Sequence, residues 1–516
     1  MSVSDTSDAV SDTRSEDMPT DAASALDGGI TPERRVQNLW KVGRLDPVLV
    51  KVLTVVGFAV PAVAFLWVVQ HYGVNAVYQD QWDDVYVIQH SYGHFLFLDP
   101  SSLWRQHTDN RMLFPNLIVV LLAHTVRFNV HIEEYLAACM MLGATALLIG
   151  AHKRRTPDAP LLYYVPVAFL TLTLAQWQNM LWGFQMAWFL VVLAVAAGIF
   201  LLDRVQFSGW VLAGSVVCAV VASYSSLQGL LIWPVGLLLL YHRRRPRSAY
   251  VVWLVAALAT TVLYFHHFHR QQTESLRWLL HYPRQFVEFF VFALGDVVGL
   301  PVQKVSTPAN PAVTAFGAVI LVLAVFVLLK WGIRRDDQTG APVGVALVVL
   351  GLLFDGMITQ GRLFLGFEGA AQSRYTTVDI LVLVGVYVTA LGAVTSRAAT
   401  KQTAATRALP DTDVSSVSAW RRVVAWVERG LGRVDSRIIV GIALAAAVVQ
   451  VVFSAHYAPA GMRHQRQDYV TAAQVTRTID HQPDRSLWID LYIVENAQWL
   501  RAQAHILQEH HLSLFG

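Results

Sequence analysis

The chain has 516 residues, 55% of them hydrophobic and only 15% charged, with a mean hydropathy of +0.44. That is too apolar for a water-soluble protein of this length, and the class it implies is an all-α, polytopic membrane protein. The formal charge of +3 matters less than where it sits, because Lys and Arg gather in particular loops and so set orientation. No nucleic-acid partner is expected. Cys139 and Cys218 both lie inside apolar runs, so no disulfide is expected either.

Residues 1–45 read as a cytoplasmic tail. The stretch to about Thr31 is rich in Ser, Asp, Thr and Ala, sets Asp5, Asp8, Asp12, Glu16, Asp17, Asp21 and Asp27 against Arg14, and has too little apolar surface to order itself. Arg34, Arg35, Lys41, Arg44 and Lys51 then lead into the first apolar run near Val52, which reads as an uncleaved anchor with its N-terminal side in the cytoplasm. The loop carrying Asp80 therefore falls outside.

Further runs of spanning length are 131–151, 160–176, 186–203, 208–224, 229–241, 249–266, 312–331, 342–360, 376–394 and 438–455, which brings the expected spans to about eleven. The basic loops at Lys153 to Arg155, Arg204, Arg243 to Arg247, Lys330 with Arg334 and Arg335, and from Arg397 onward then share the cytoplasmic side. Two leftover stretches, 112–127 and 285–302, read as re-entrant or in-plane helices. The core so defined is 46–396. A cytoplasmic linker follows at 397–437, in which 420–434 alternates Trp420, Val423, Val424, Trp426, Val427 and Leu431 with Arg421, Arg422, Arg429 and Arg433, as an interfacial helix does. A last span (438–456) and an extracytoplasmic helical cap (457–516) complete the chain.

Polar, aromatic-rich motifs converge on the expected outer face: Tyr78 to Asp84, Gln106 to Pro115, Gln176 to Gln185, Ser223 to Gly229, 266–284, and Arg362 with Ser373 to Thr377. Carboxylates so placed beside membrane spans point to a site. Transfer of a sugar to a hydroxyl needs a carboxylate to take the acceptor proton and cations to hold the leaving phosphate. Asp80, Asp83 or Asp84 supplies the first, and Arg111, Arg362 and Arg374 supply the second. Trp82, Trp177, Trp182 and Tyr375 can stack on sugar rings, although tryptophans there also suit the interfacial aromatic belt. Asp80, Asp83, Asp84, His107 and Asp109 could together ligate Mg²⁺, Mn²⁺ or Ca²⁺. No glycine-rich phosphate loop follows a strand pattern, so the donor is expected from within the bilayer.

The runs Asp80-Gln-Trp, His107-Thr-Asp-Asn-Arg111 before Leu-Phe-Pro, Asn179-Met-Leu-Trp-Gly-Phe-Gln185, Ser225-Ser-Leu-Gln-Gly-Leu-Leu-Ile-Trp-Pro234 and Ser373-Arg-Tyr375 resemble a bacterial subgroup of the GT-C superfamily of membrane glycosyltransferases. The resemblance implies a plasma-membrane enzyme that takes sugar from a polyprenyl phosphate and passes it to a glycan or glycolipid acceptor on the extracytoplasmic face. By similarity Asp80 is the base, with Asp83 and Asp84 as supporting acids or ligands of an optional divalent cation. His107, Asp109, Arg111, Asn179, Gln185 and Ser373 join the arginines and aromatics as substrate contacts. The competing expectation is a transporter or lipid-linked saccharide flippase, for which Asp355 and Asp379 would be the intramembrane acids.

Overall fold

A computed structural model of the chain describes residues 46–269, 281–300, 310–333, 335–336, 339–404, 434–491 and 496–516. Among these the fold is helical apart from one small hairpin. Among the described residues, eight helices are long and apolar enough to cross a membrane. The first, α1 (Pro47–Tyr72), starts where the Asp46 side chain accepts from Val48 N at 2.7 Å and Pro47 presets the first turn. At 1.5 Å per residue it is about 39 Å long, enough for the hydrocarbon core. Val52, Val55, Val56, Val63 and Trp67 are left exposed along it. Such a row of apolar side chains is stable only against lipid or another apolar partner.

After the short α2 (Trp82–Ser91) comes the hairpin of β1 (Gln106–His107) and β2 (Asn110–Arg111), then α3 (Leu113–Val126). Each end of α3 is tied down: Phe114 N donates to Tyr224 O at its start, and Arg127 O, just past its end, accepts from Ser513 N. Long helices α4 (Val130–Arg155) and α6 (Met186–Leu202) flank a broken segment containing α5 (Val165–Thr171). The continuous run expected over 160–176 is thus corrected. Pro166 confines α5 to a fresh start after a 3₁₀ turn, and Gln176 Nε2 donates to Thr171 O at 2.7 Å to close it.

The remaining helices of seven or more residues among those described are α7 (Gly209–Ser223), α8 (Ile232–His242), α9 (Arg247–Phe265), α10 (Pro283–Gly295), α11 (Pro311–Val327), α12 (Ala341–Arg362), α13 (Thr376–Ala404), α14 (Ser436–Arg477), α15 (Asp484–Asp490) and α16 (Ala497–Glu509). α13 is buried throughout its apolar stretch and packs most extensively on α12, then on α14. It runs on past residue 396, where the linker was expected to begin. α14 likewise passes without interruption through 456, the expected boundary between span and cap. The expected tail (1–45) and, except for Val434, the amphipathic helix at 420–434 lie outside the described residues.

The two ends of the bundle differ in chemistry. At one, the buried Asp203 carboxylate accepts from Arg155 and Arg243, and Arg243 also donates to Asp336 O and Thr339 O, so one acid ties together the ends of α4, α6 and α8 and the approach to α12. The hairpin, the turn before α2 and the segments around 176–185 and 362–375 gather at the opposite end.

Candidate functional site

The turn leading into α2 is strained and firmly held. Gln79 takes φ +50°, a left-handed conformation unusual for a side chain of this size. It is secured by Gln79 N donating to Leu491 O at 2.6 Å, and the next side chain but one, Gln81, donates to the buried Glu133 of α4 at 2.7 Å. Gly183 closes over this pair so tightly that a Cβ there would lie 2.2 Å from Glu133 Oε2 and 2.5 Å from Gln81 Nε2. The result fixes Asp80 at the mouth of a cleft. Asp83 and Asp84 follow in the first turn of α2, where the helix dipole favours negative charge.

The hairpin brings His107 beside them. Its two-residue loop has Thr108 at φ +48°, and β2 is anchored on its far side by Asn110 Oδ1, which accepts from Ser226 Oγ at 2.8 Å and Leu227 N at 3.0 Å. His107 Nδ1 lies 2.6 Å from Asp83 Oδ2, while Nε2 is 3.7 Å from Asp80 Oδ2, an ion-pair distance. Burial opposes protonation of the imidazole, but the two carboxylates outweigh it and raise its pKa to about 9. The edge of Phe184 closes the other side at 4.9 Å.

The opposite wall comes from two distant segments stitched together. Ser373 Oγ donates to Ala175 O at 2.6 Å and accepts from Gln178 N at 3.1 Å. Asn179 Nδ2 donates to Arg374 O and to Thr377 Oγ1. These bonds place Arg374 and Tyr375, together with Arg362 from the end of α12, on a cleft of about 180 Å³ that Asp80, His107 and Asp109 also line. One cleft thus holds two carboxylates, an imidazole and two guanidinium groups.

Of the residues expected to contact substrate, the cleft collects Asp80, His107, Asp109, Gln185, Arg362, Arg374 and Tyr375. The others stand elsewhere. Trp82 is fully buried in the core and Trp182 packs with Ala76, Tyr469 and Ala473, so neither offers a face to a sugar. Arg111 is spent on structure: its guanidinium donates to the carbonyls of Trp104, Tyr264, His266 and His267 and has no face left for phosphate. Asn179 and Ser373 are the fasteners just described. Asp83 lies behind His107, and Asp84 is buried, its pKa pushed well above the ordinary carboxyl value by burial and then by Glu133, Asp83 and Asp80.

A shared cation on Asp80, Asp83, Asp84 and His107 does not fit this arrangement. Asp83 occupies His107 Nδ1, Asp84 turns away from the cleft, and no group of three such side chains among the described residues could hold a metal ion. Sequence reasoning missed Phe184, Trp188 and Gln228 as lining residues. Trp188 is hidden in an apolar run, whereas Gln228 belongs to a motif that stood out and could have been included. No protein-family model, no curated protein and no solved structure matches the chain.

Proposed function

We propose that this chain is a membrane glycosyltransferase of the GT-C type. It moves a sugar from a polyprenyl-phosphate donor to an acceptor hydroxyl of a cell-envelope glycan or glycolipid on the extracytoplasmic face of the plasma membrane. The observation that supports this most is the pairing of Asp80 with Arg362 and Arg374 in one cleft. In the reaction Asp80 takes the acceptor O–H proton as its oxygen bonds to the sugar C1. The C1–O bond to phosphate breaks with its electron pair, and the charge gathering on the polyprenyl phosphate is met by Arg362 and Arg374. His107, held by Asp83, sits beside Asp80 at 3.7 Å and helps hold the base in position.

The topology proposed with it has eleven crossings: the eight long apolar helices, plus the broken 160–176 segment, α7 and α8. An odd number leaves the N-terminus in the cytoplasm with the basic connectors and the C-terminus outside with the cleft. Comparing glycans and polyprenyl-phosphate sugars in cells with and without the gene tests the function. The reading expects a glycan to lose one sugar and the matching lipid donor to accumulate; unchanged pools of both would overturn it.

Transport is the second reading, favoured by one observation: Asp355 of α12 is fully buried with neither carboxylate oxygen hydrogen-bonded. Proton- or cation-coupled movement of a lipid-linked sugar would be abolished by Asp355→Asn and left intact by Asp80→Asn, the reverse of what transfer chemistry requires.

A further inference from the structure

A second cavity of about 190 Å³ lies behind the wall that carries Arg374. One face is Trp177, half-buried; another is Asp296, in the turn after α10; and α14 closes the space with Tyr457, Gly461 and His464. Neighbouring residues of two segments divide between cavity and cleft: Trp177 and Gln178 line the cavity and Phe184 and Gln185 the cleft. Ser373 faces the cavity while Arg374 and Tyr375 face the cleft, and Arg374 N donates to Gln178 Oε1 across the partition at 3.2 Å.

Two details suit this cavity to a ligand rather than to packing. α14 approaches the Trp177 indole at a glycine: a Cβ on Gly461 would stand 2.5 Å from the ring. The indole is thereby seated against the helix backbone, with part of its surface facing the open space. Asp296 is buried, yet its Oδ1 has no hydrogen-bond partner among the described residues.

Resting on the glycosyl-transfer reading, we infer that this cavity is the acceptor subsite, where a neutral sugar ring of the acceptor stacks on Trp177 and its hydroxyls bond to Asp296, next to the cleft that holds the donor. An aromatic plate with one polar wall matches a pyranose or furanose, which has an apolar C–H face and a rim of hydroxyls. Burial pushes the Asp296 pKa well above the usual carboxyl value. A neutral carboxyl both donates and accepts, which suits a hydroxyl and gives no preference for a cation.

The test uses the purified full-length protein in detergent micelles and saturation-transfer NMR, titrating methyl glycosides of glucose, mannose, galactose and arabinofuranose, with tetramethylammonium as a cationic probe. At least one glycoside should bind saturably. Trp177→Leu and Asp296→Asn should each weaken it about tenfold or more. No saturable glycoside binding, equal binding in both cavity variants, or tighter binding of tetramethylammonium would overturn the subsite. Should either variant fail to fold, a diazirine-bearing form of the bound glycoside is photolysed on the wild-type protein. Label on 177–178, 296–300 or 457–464 supports the assignment, and label confined elsewhere overturns it. Failure here while Asp80→Asn still abolishes glycan transfer in cells removes only the subsite. Saccharide binding with no effect of Asp80→Asn on glycans removes the transferase reading instead.

Discussion

The imidazole of His107 is shared between two carboxylates, with Asp83 on its Nδ1 at 2.6 Å and Asp80 facing its Nε2 at 3.7 Å. Its folded-state pKa of about 9 lies above the 6.5 of the free side chain. The stabilisation from this charge is therefore complete below about pH 6.5 and is lost as pH climbs through about 9, amounting at most to ~3 kcal/mol. Thermal unfolding followed from about pH 6 to 10 should show the wild type falling toward His107→Gln across that window. Parallel curves would contradict the pairing.

Asp84 has the opposite significance. Burial, then Glu133, Asp83 and Asp80, raise its pKa, so ionising it costs stability as the pH rises. Asp84→Asn should unfold at a higher temperature than wild type above neutral pH and retain sugar transfer within about threefold. A loss comparable to that of Asp80→Asn would place Asp84 in the chemistry.

The arginines divide by what they touch. Arg111→Ala strips donors from four carbonyls and should cost about 3 kcal/mol or more, seen as lowered folded yield and melting temperature. Arg374→Ala and Arg362→Ala should leave melting nearly unchanged and raise KM for the lipid-phosphate donor about tenfold or lower kcat by as much. Kinetic assays beside unfolding curves separate the two groups.

Gly183→Ala inserts a methyl group where Glu133 and Gln81 meet. The Gln81–Glu133 hydrogen bond must break or the turn must shift, so activity and stability should fall together, the latter by about 2 kcal/mol or more. An active variant of wild-type stability would show that the turn holding Asp80 is looser than its contacts imply.

The helical membrane architecture and the gathering of distant motifs were legible in the sequence because both depend on contrast: long apolar runs stand out, and so do polar aromatic clusters between them. The facing of individual side chains was not, since loops and short helices offer no period from which to read it. Trp82 and Trp188 illustrate the limit. Trp82 sits in a conspicuous acidic motif yet turns into the core beside Val85 and Ile88, while Trp188 lies in an apolar helix yet reaches the cleft. Arg111 was misread because the hairpin was not foreseen: two strands of two residues leave almost no alternation to detect, and only their pairing brings the guanidinium under the carbonyls of 264–267. The break at 160–176 was in principle visible, because Pro166 lies within the run.

The most direct measurement is sugar transfer by purified Asp80→Asn protein supplied with the polyprenyl-phosphate sugar that accumulates in cells lacking the gene. The variant should fold and bind the donor as wild type does, while transfer falls by roughly 10²- to 10⁴-fold. Transfer at the wild-type rate would contradict the assignment of Asp80 as the base and, with it, the function proposed for the cleft.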